Sequence, residues 1–236
     1  MEHKENLSRR KISRVLISVS DKSGIVDLSK GLSENGIEIV STGGTSKAIS
    51  EAGIPVRPVE EVTNFPEMMG GRVKTLHPLI FGGILGRDSD KDQMEEHGIE
   101  NIDMVICNLY PFKSAAEKGV DLSSLIEEID IGGPSLLRAA SKNHSRVSVV
   151  TDPGDYGWIL NEILNGGLTF EQRQQLALKS FRHTAEYDSI IQSVLAQRFG
   201  EEELPSSLHL TGIGSPPLRY GENPHQSSVF YSDLLH

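Results

Sequence analysis

The 236-residue sequence predicts an α/β fold with a doubly wound, mostly parallel sheet and an added helical region toward its C-terminal part. Two observations favour this class. Short apolar runs alternate with helical patterns, as they do in parallel sheets whose strands are joined by crossover helices. The first run, residues 14–20, is almost continuously apolar, which is typical of a strand covered on both faces.

The remaining elements follow in order along the chain. Residues 23–35 place apolar side chains at helical spacing and end at Gly36. Glycines 43 and 44 begin a second, short helix, and Thr169 and Gln172 have the spacing of a capping box that opens a helical region to about residue 199. Further strands are expected at residues 37–42, 79–85, 104–109 and 146–151, and residues 55–62 are expected to carry a shorter strand.

The amino-acid composition of the chain changes near residue 200. Residues 12–200 read as one domain, whereas 201–236 are rich in proline, glycine and serine and indicate a linker or the start of another domain.

Composition excludes several classes of function. A formal net charge of −10 argues against nonspecific nucleic-acid binding, which depends on lysine and arginine. No apolar run approaches the roughly 20 residues of a membrane helix, and the polar start does not resemble a signal peptide. The one cysteine, Cys107, excludes an internal disulfide framework and suits a cytoplasmic location.

Two glycine- and hydroxyl-rich turns are candidate phosphate sites. Residues 41–49, STGGTSKAI, place N–H donors at a helix N-terminus, although an ordinary tight turn with a threonine cap explains them equally well. Residues 18–24, SVSDKSG, follow the first strand, and there a helix cap is an equal alternative. No P-loop and no G-x-G-x-x-G follows a strand, so triphosphate hydrolysis and a dinucleotide cofactor are disfavoured.

Three further segments carry polar residues suited to chemistry. In GGRVKTLHP, Arg72 and Lys74 are either site residues or part of a solvated basic loop, and His77 reads as structural. Tyr110, in NLYPF, is a site residue or a buried aromatic side chain. Asp130 precedes a Gly-Gly turn, and Lys142, late in the next helix, has the alternative role of complementing the helix dipole. No cysteine or histidine spacing suggests a metal.

Taken together, SVSDKSG, STGGTSKAI, GGRVKTLHP, CNLYPF, DIGG and AASKNH resemble the IMP cyclohydrolase half of the bifunctional enzyme family of purine biosynthesis, which also contains a formyltransferase. The resemblance covers about residues 12–200 and implies a methylglyoxal-synthase-like fold. Residues 218–226, LRYGENPHQ, resemble the opening of the formyltransferase domain, of which little follows, so formyl transfer is not expected.

The resemblance implies roles for individual residues. The positions that match the family's catalytic residues are Lys74, Tyr110, Asp130 and Lys142. Those that match its substrate contacts are Ser20, Asp21, Lys22, Thr42, Gly43, Gly44, Thr45, Arg72, Val73, Thr75, Cys107, Asn108 and Ile131.

The expected reaction closes 5-formamidoimidazole-4-carboxamide ribotide to inosine monophosphate, without metal, folate or redox cofactor. Lys74 would polarise the carboxamide, Asp130 and Lys142 would transfer protons, and Tyr110 would orient the reacting groups. The resemblance also implies a homodimer, with a separate formyltransferase as a further partner. Two alternatives are a regulatory nucleotide-binding module and a fragment that is inactive without the formyltransferase domain.

Overall fold

A computed structural model describes residues 9–200, 212–214 and 228–233. Five strands form an all-parallel sheet in the order β3-β2-β1-β4-β5, which confirms the predicted doubly wound α/β class. The strands are β1 (Arg14–Val19), β2 (Glu38–Ser41), β3 (Arg57–Pro58), β4 (Met104–Asn108) and β5 (Ser148–Val150). A separate antiparallel pair consists of β6 (Gly212–Gly214) and β7 (Tyr231–Asp233).

Helices lie between and after the strands along the chain. They are α1 (Ile25–Glu34), α2 (Gly43–Glu51), α3 (Val59–Thr63), α4 (Pro78–Leu85), α5 (Lys91–Glu96), α6 (Phe112–Glu117), α7 (Leu122–Glu127), α8 (Gly132–Lys142), α9 (Tyr156–Leu164) and α10 (Phe170–Phe199). Short 3-10 turns occur at Met69–Gly71, Asp88–Asp90 and Pro153–Asp155. Within the described residues, no helix combines the length and apolar character needed to cross a bilayer.

The chain forms two compact units, Met1–Pro111 with Glu127–Thr184, and Phe112–Ile126 with Ala185–His236. The first contains the five-stranded sheet, and its core includes every residue of β4. In the second, the rings of Phe112 and Tyr187 pack edge to face with centroids 6.4 Å apart. Much of 201–236 lies outside the described residues, so the predicted boundary near residue 200 stays a prediction.

One strand prediction is wrong. Residues 79–85 form helix α4, since Pro78 occupies its first turn and the His77 ring accepts a hydrogen bond from the Leu79 N–H at 3.2 Å. A continuous apolar run does not distinguish a buried strand from a buried helix, which explains the error. The shorter strand predicted within residues 55–62 is confirmed: Arg57–Pro58 pairs with β2, and α3 begins at Val59.

The capping box predicted at Thr169 and Gln172 is confirmed. The Thr169 N–H donates to Gln172 Oε1 at 2.8 Å and the Gln172 N–H donates to Thr169 Oγ1 at 3.2 Å, which is a reciprocal capping box before α10. Asp152 accepts a hydrogen bond from the Gly154 N–H at 2.8 Å and caps the turn that leads into α9.

Candidate active site

The carboxyl ends of β1 and β4 meet at one edge of the sheet, where Asn108 pairs in register with Val19. The Asn108 side chain accepts hydrogen bonds from the N–H groups of Ser20 and Asp21, at 2.7 and 2.9 Å, and donates to the Asp21 carbonyl at 2.9 Å. Asn108 therefore shapes the turn after β1. Asp21 in turn accepts from both the N–H and the hydroxyl of Ser23.

The N-terminus of α2 docks on the end of β1. Thr45 Oγ1 accepts from the Val19 N–H at 3.2 Å and donates to the Val19 carbonyl at 2.9 Å. Thr42 occupies the N-cap position without a side-chain cap bond, and its hydroxyl instead lies 3.1 Å from Ser18 Oγ. The first N–H groups of α2 are consequently not satisfied by a side-chain cap.

Two lysines converge on this turn. A Cβ built on Gly43 would lie 3.5 Å from Lys74 Nζ, and one built on Gly44 would lie 3.8 Å from Lys22 Nζ. Gly43 also has a left-handed φ of 44°. Two ammonium groups at a helix N-terminus form a setting that favours an anion. We call Lys22, Gly43, Gly44 and Lys74 the lysine cradle.

Lys74 pairs with two carboxylates, one from helix α3 and one from the loop that follows it. Its Nζ is 2.8 Å from Glu60 Oε1 and also forms an ion pair with Glu67. Burial alone would lower the pKa of Lys74, but the two carboxylates outweigh burial and raise that pKa above its ordinary value. Lys74 is therefore a charged group at neutral pH. A small open pocket lies beside it, between α3 and the loop.

Asp130 immediately precedes α8 and is held by backbone donors. Its Oδ1 accepts from the Gly133 N–H at 2.8 Å, and the N–H groups of Tyr110 and Gly132 also hydrogen-bond to the carboxylate. Burial raises the pKa of Asp130 above its ordinary 3.8 in spite of these donors. The carboxylate is thus both fixed in direction and more basic than an exposed aspartate.

The Gly-Gly pair before α8 permits close approach of neighbouring groups. A Cβ on Gly132 would lie 2.9 Å from Thr75 Oγ1, so the Lys74–Thr75 segment and the start of α8 are in contact. A Cβ on Gly133 would lie 2.4 Å from Asp130 Oδ2. These contacts bring the segments carrying Lys74 and Asp130 together.

Tyr110 completes this group and is 50% exposed, so the reading of a buried aromatic is wrong. Burial, followed by the charges of Asp130 and Glu128, raises the pKa of Tyr110, while Lys74 opposes the shift. The phenol remains protonated at neutral pH, and the charges of Asp130 and Lys74 both influence its pKa.

Lys142 does not join Lys74, Tyr110 and Asp130 within one chain. It is the last residue of α8 and is exposed. Helix α8 runs from Asp130 to the opposite edge of the sheet, where Asn143 donates to the Ile84 carbonyl at 2.7 Å near the start of β4. Nine residues separate Gly133 from Lys142, which is about 14 Å along the axis. That distance prevents direct contact between the Lys142 ammonium and Asp130.

Four other predicted contact residues differ in burial and in their partners. Cys107 is buried, and burial together with Asp130 raises the pKa of its thiol, so it is the expected core residue. Arg72 is exposed and forms an ion pair with Glu127. Val73 lines the pocket beside Lys74, and Ile131 is 58% exposed next to Asp130.

Sequence reasoning missed Glu60 and Glu67. Both are ordinary acidic residues in a polar stretch, and their spacing from Lys74 has no motif. Only the folding of the loop back over α3 reveals them as partners of Lys74. Among the described residues, no cluster of three His, Cys, Asp or Glu side chains has the arrangement of a metal site.

Comparison with known proteins gives matches over most of the chain. A family model described as MGS-like domain matches residues 24–135, and one described as AICARFT/IMPCHase bienzyme matches residues 140–236. A crystal structure titled as that of ForH has 34% sequence identity, covers 78% of this chain and 100% of that one, and superposes with a TM-score of 0.69.

Two curated relatives carry the name bifunctional purine biosynthesis protein PurH. The protein from Oceanobacillus iheyensis is 55% identical over 94% of this chain, and the one from Persephonella marina is 51% identical over 92%. The chain spans 44% and 43% of their lengths. The family resemblance of the sequence motifs is thereby confirmed. The chain belongs to the AICARFT/IMPCHase bienzyme family and contains its MGS-like, IMPCHase-related part.

Proposed function

We propose that this chain is an IMP cyclohydrolase, which closes 5-formamidoimidazole-4-carboxamide ribotide to inosine monophosphate with loss of water. The convergence of Lys74, Tyr110 and Asp130 beside the lysine cradle carries the proposal. The cradle suits the phosphate of a ribotide, and family membership supports purine biosynthesis as the setting. The proposal concerns ring closure alone.

Ring closure joins the carboxamide nitrogen to the formyl carbon, after which the formyl oxygen leaves as water. Because an amide nitrogen is a poor nucleophile, orientation matters, and it supplies on the order of 7–11 kcal/mol in the best intramolecular cases. The site would hold the substrate phosphate on the side of the cradle formed by Lys22 and Gly44, and the two reacting groups between Lys74 and Asp130.

The protonation states suggest a division of roles. Lys74 is charged, so it suits polarisation of the carboxamide and stabilisation of developing negative charge. Asp130 is a fixed, basic carboxylate suited to accept the proton of the attacking nitrogen. Tyr110 remains a phenol and would donate a hydrogen bond to the reacting oxygen.

Lys142 enters this proposal only through a second copy of the chain. Since α8 holds Lys142 far from Asp130, a proton transfer between them requires the expected homodimer to bring Lys142 of one copy to Asp130 of the other. Mixing inactive Asp130→Asn and Lys142→Ala proteins should then restore about a quarter of the activity, because half the dimers are mixed and each has one intact site. Mixtures that stay inactive would exclude shared sites.

The direct test is turnover of the purified chain. We expect the formylated ribotide to be converted to inosine monophosphate, followed by absorbance, with a metal chelator present and no folate. Asp130→Asn should abolish most of the turnover and still bind product. Tight binding of inosine monophosphate without any turnover would favour the regulatory module, and absence of both would favour a fragment that needs further chain.

A further inference from the structure

The ammonium of Lys74 is shared by two carboxylates with different settings. Glu60 lies in the first turn of α3, and its side chain is 30% exposed. Glu67 lies in the loop after α3, and its side chain is 47% exposed. One partner of Lys74 thus belongs to a helix and is the more enclosed, whereas the other belongs to a loop and is open to solvent.

The loop has a backbone that depends on unusual conformations. Asn64 and Met69, on either side of Glu67, have left-handed φ values of 51° and 53°, which non-glycine residues rarely adopt. Gly71 has a φ of 87°, and a Cβ there would lie 3.2 Å from Glu67 Oε1. The Glu67 carboxylate therefore reaches Lys74 across a position that has no side chain.

The two carboxylates at Lys74 weaken the attraction of the lysine cradle for an anion. Lys22 and Lys74 contribute two positive charges around Gly43 and Gly44, and Glu60 and Glu67 contribute two negative charges at Lys74. A phosphorylated substrate would therefore be attracted less strongly than by the two lysines alone. Release of one glutamate restores a positive cradle, and Glu67 is the partner with less burial to lose.

We propose that Glu60 and Glu67 have separate tasks at Lys74: Glu60 is a positioning residue that keeps the ammonium at the cradle throughout turnover, and Glu67 is a counterion that the anionic substrate replaces. The identity of that substrate rests on the proposed function, whereas the exchange of Glu67 does not. Glu67 contacts the Lys74 ammonium where a negatively polarised atom of the ligand would contact it during turnover.

Steady-state kinetics separate the two tasks. Glu67→Gln keeps the size of the side chain and removes its charge, so KM for the formylated ribotide should fall about two- to fivefold while kcat stays within about twofold. Glu60→Gln should lower kcat about 10- to 100-fold with a smaller change in KM, because Lys74 loses its anchor. Glu61→Gln, an exposed neighbour in α3, is the matched control and should change neither.

Three results would overturn the inference: an unchanged KM in Glu67→Gln, a loss of kcat in Glu67→Gln as large as in Glu60→Gln, or a lowered KM with normal kcat in Glu60→Gln. Thermal melting of each variant checks that it is folded.

Chemical labelling tests the exchange even if the chain shows no turnover. Trinitrobenzenesulfonate is an anionic reagent for amines, and peptide mass mapping reports its reaction with Lys74. Labelling of Lys74 should be faster in Glu67→Gln than in the native chain or in Glu60→Gln, and Glu61→Gln should match the native rate. The opposite order of the Glu60 and Glu67 variants would contradict the assignment, whatever reaction the enzyme catalyses.

Discussion

Replacement of Gly133 by alanine tests the site without removing any reactive group. Gly133 is buried in the first turn of α8, and its N–H binds Asp130. A Cβ at this position would lie 2.4 Å from Asp130 Oδ2 and 2.7 Å from Leu109 Cδ2, whereas ordinary contacts begin at 3.4 Å. The carboxylate would therefore have to move by about 1 Å.

Such a displacement has a measurable cost. A misplacement of about 1 Å is enough to lower a rate by about 100-fold, so kcat for ring closure should fall by that order. Overpacking typically lowers the free energy of unfolding by about 1–3 kcal/mol, and the better helix propensity of alanine offsets part of this loss. The expected protein is folded, somewhat less stable and nearly inactive.

The assay is the absorbance change of inosine monophosphate formation, together with denaturant unfolding. Gly157→Ala is the matched control, because it makes the same substitution in α9 where nothing lies within 4 Å of the new Cβ. That variant should keep full activity and gain up to about 1 kcal/mol of stability. A folded Gly133→Ala protein with normal kcat would refute the placement of Asp130 as the reacting carboxylate.

Three other predictions follow from described contacts. Arg173 is buried and donates hydrogen bonds to the carbonyls of Leu168, His144 and Ser145, and burial lowers its pKa to about 10. Arg173→Met should therefore lower the free energy of unfolding, measured by urea titration, by about 2–4 kcal/mol. The Cys107 thiol is buried with a raised pKa, so a disulfide reagent such as dithionitrobenzoate should label it only after unfolding. Hydrogen bonding from Lys179 lowers the folded-state pKa of Asp152 below 3.8. The stability that this ion pair contributes is therefore present above pH 3.8 and is lost as the pH falls through the lowered pKa. Lys179→Met should unfold more easily than the native chain at neutral pH, and this difference in stability should shrink in acid.

Local patterns were sufficient to predict most of the sheet. Strands β1, β4 and β5 follow from apolar runs, and the start of α10 follows from its capping box. Helix α4 was missed because PLIFGGIL is apolar all round and has no period that separates a helix from a strand. Pro78 after His77 was the available signal, since proline is favoured in a first helical turn.

The site was predicted only in part for a different reason. Motifs identify residues one by one, but the edge of the sheet at which each residue lies depends on the direction of its element. Asp130 lies just before α8 and Lys142 is its last residue, so they lie at opposite ends of one helix in spite of their short separation in sequence. Glu60 and Glu67 reach Lys74 through a loop whose path depends on left-handed residues, and no local pattern specifies that path.

The turn after β1 depends on the side chain of Asn108, which is synthesised much later than the turn itself. The turn at Ser20 and Asp21 receives its hydrogen bonds from a residue 88 and 87 positions later. During synthesis, the turn that carries Lys22 therefore cannot gain these hydrogen bonds until β4 has emerged and paired with β1.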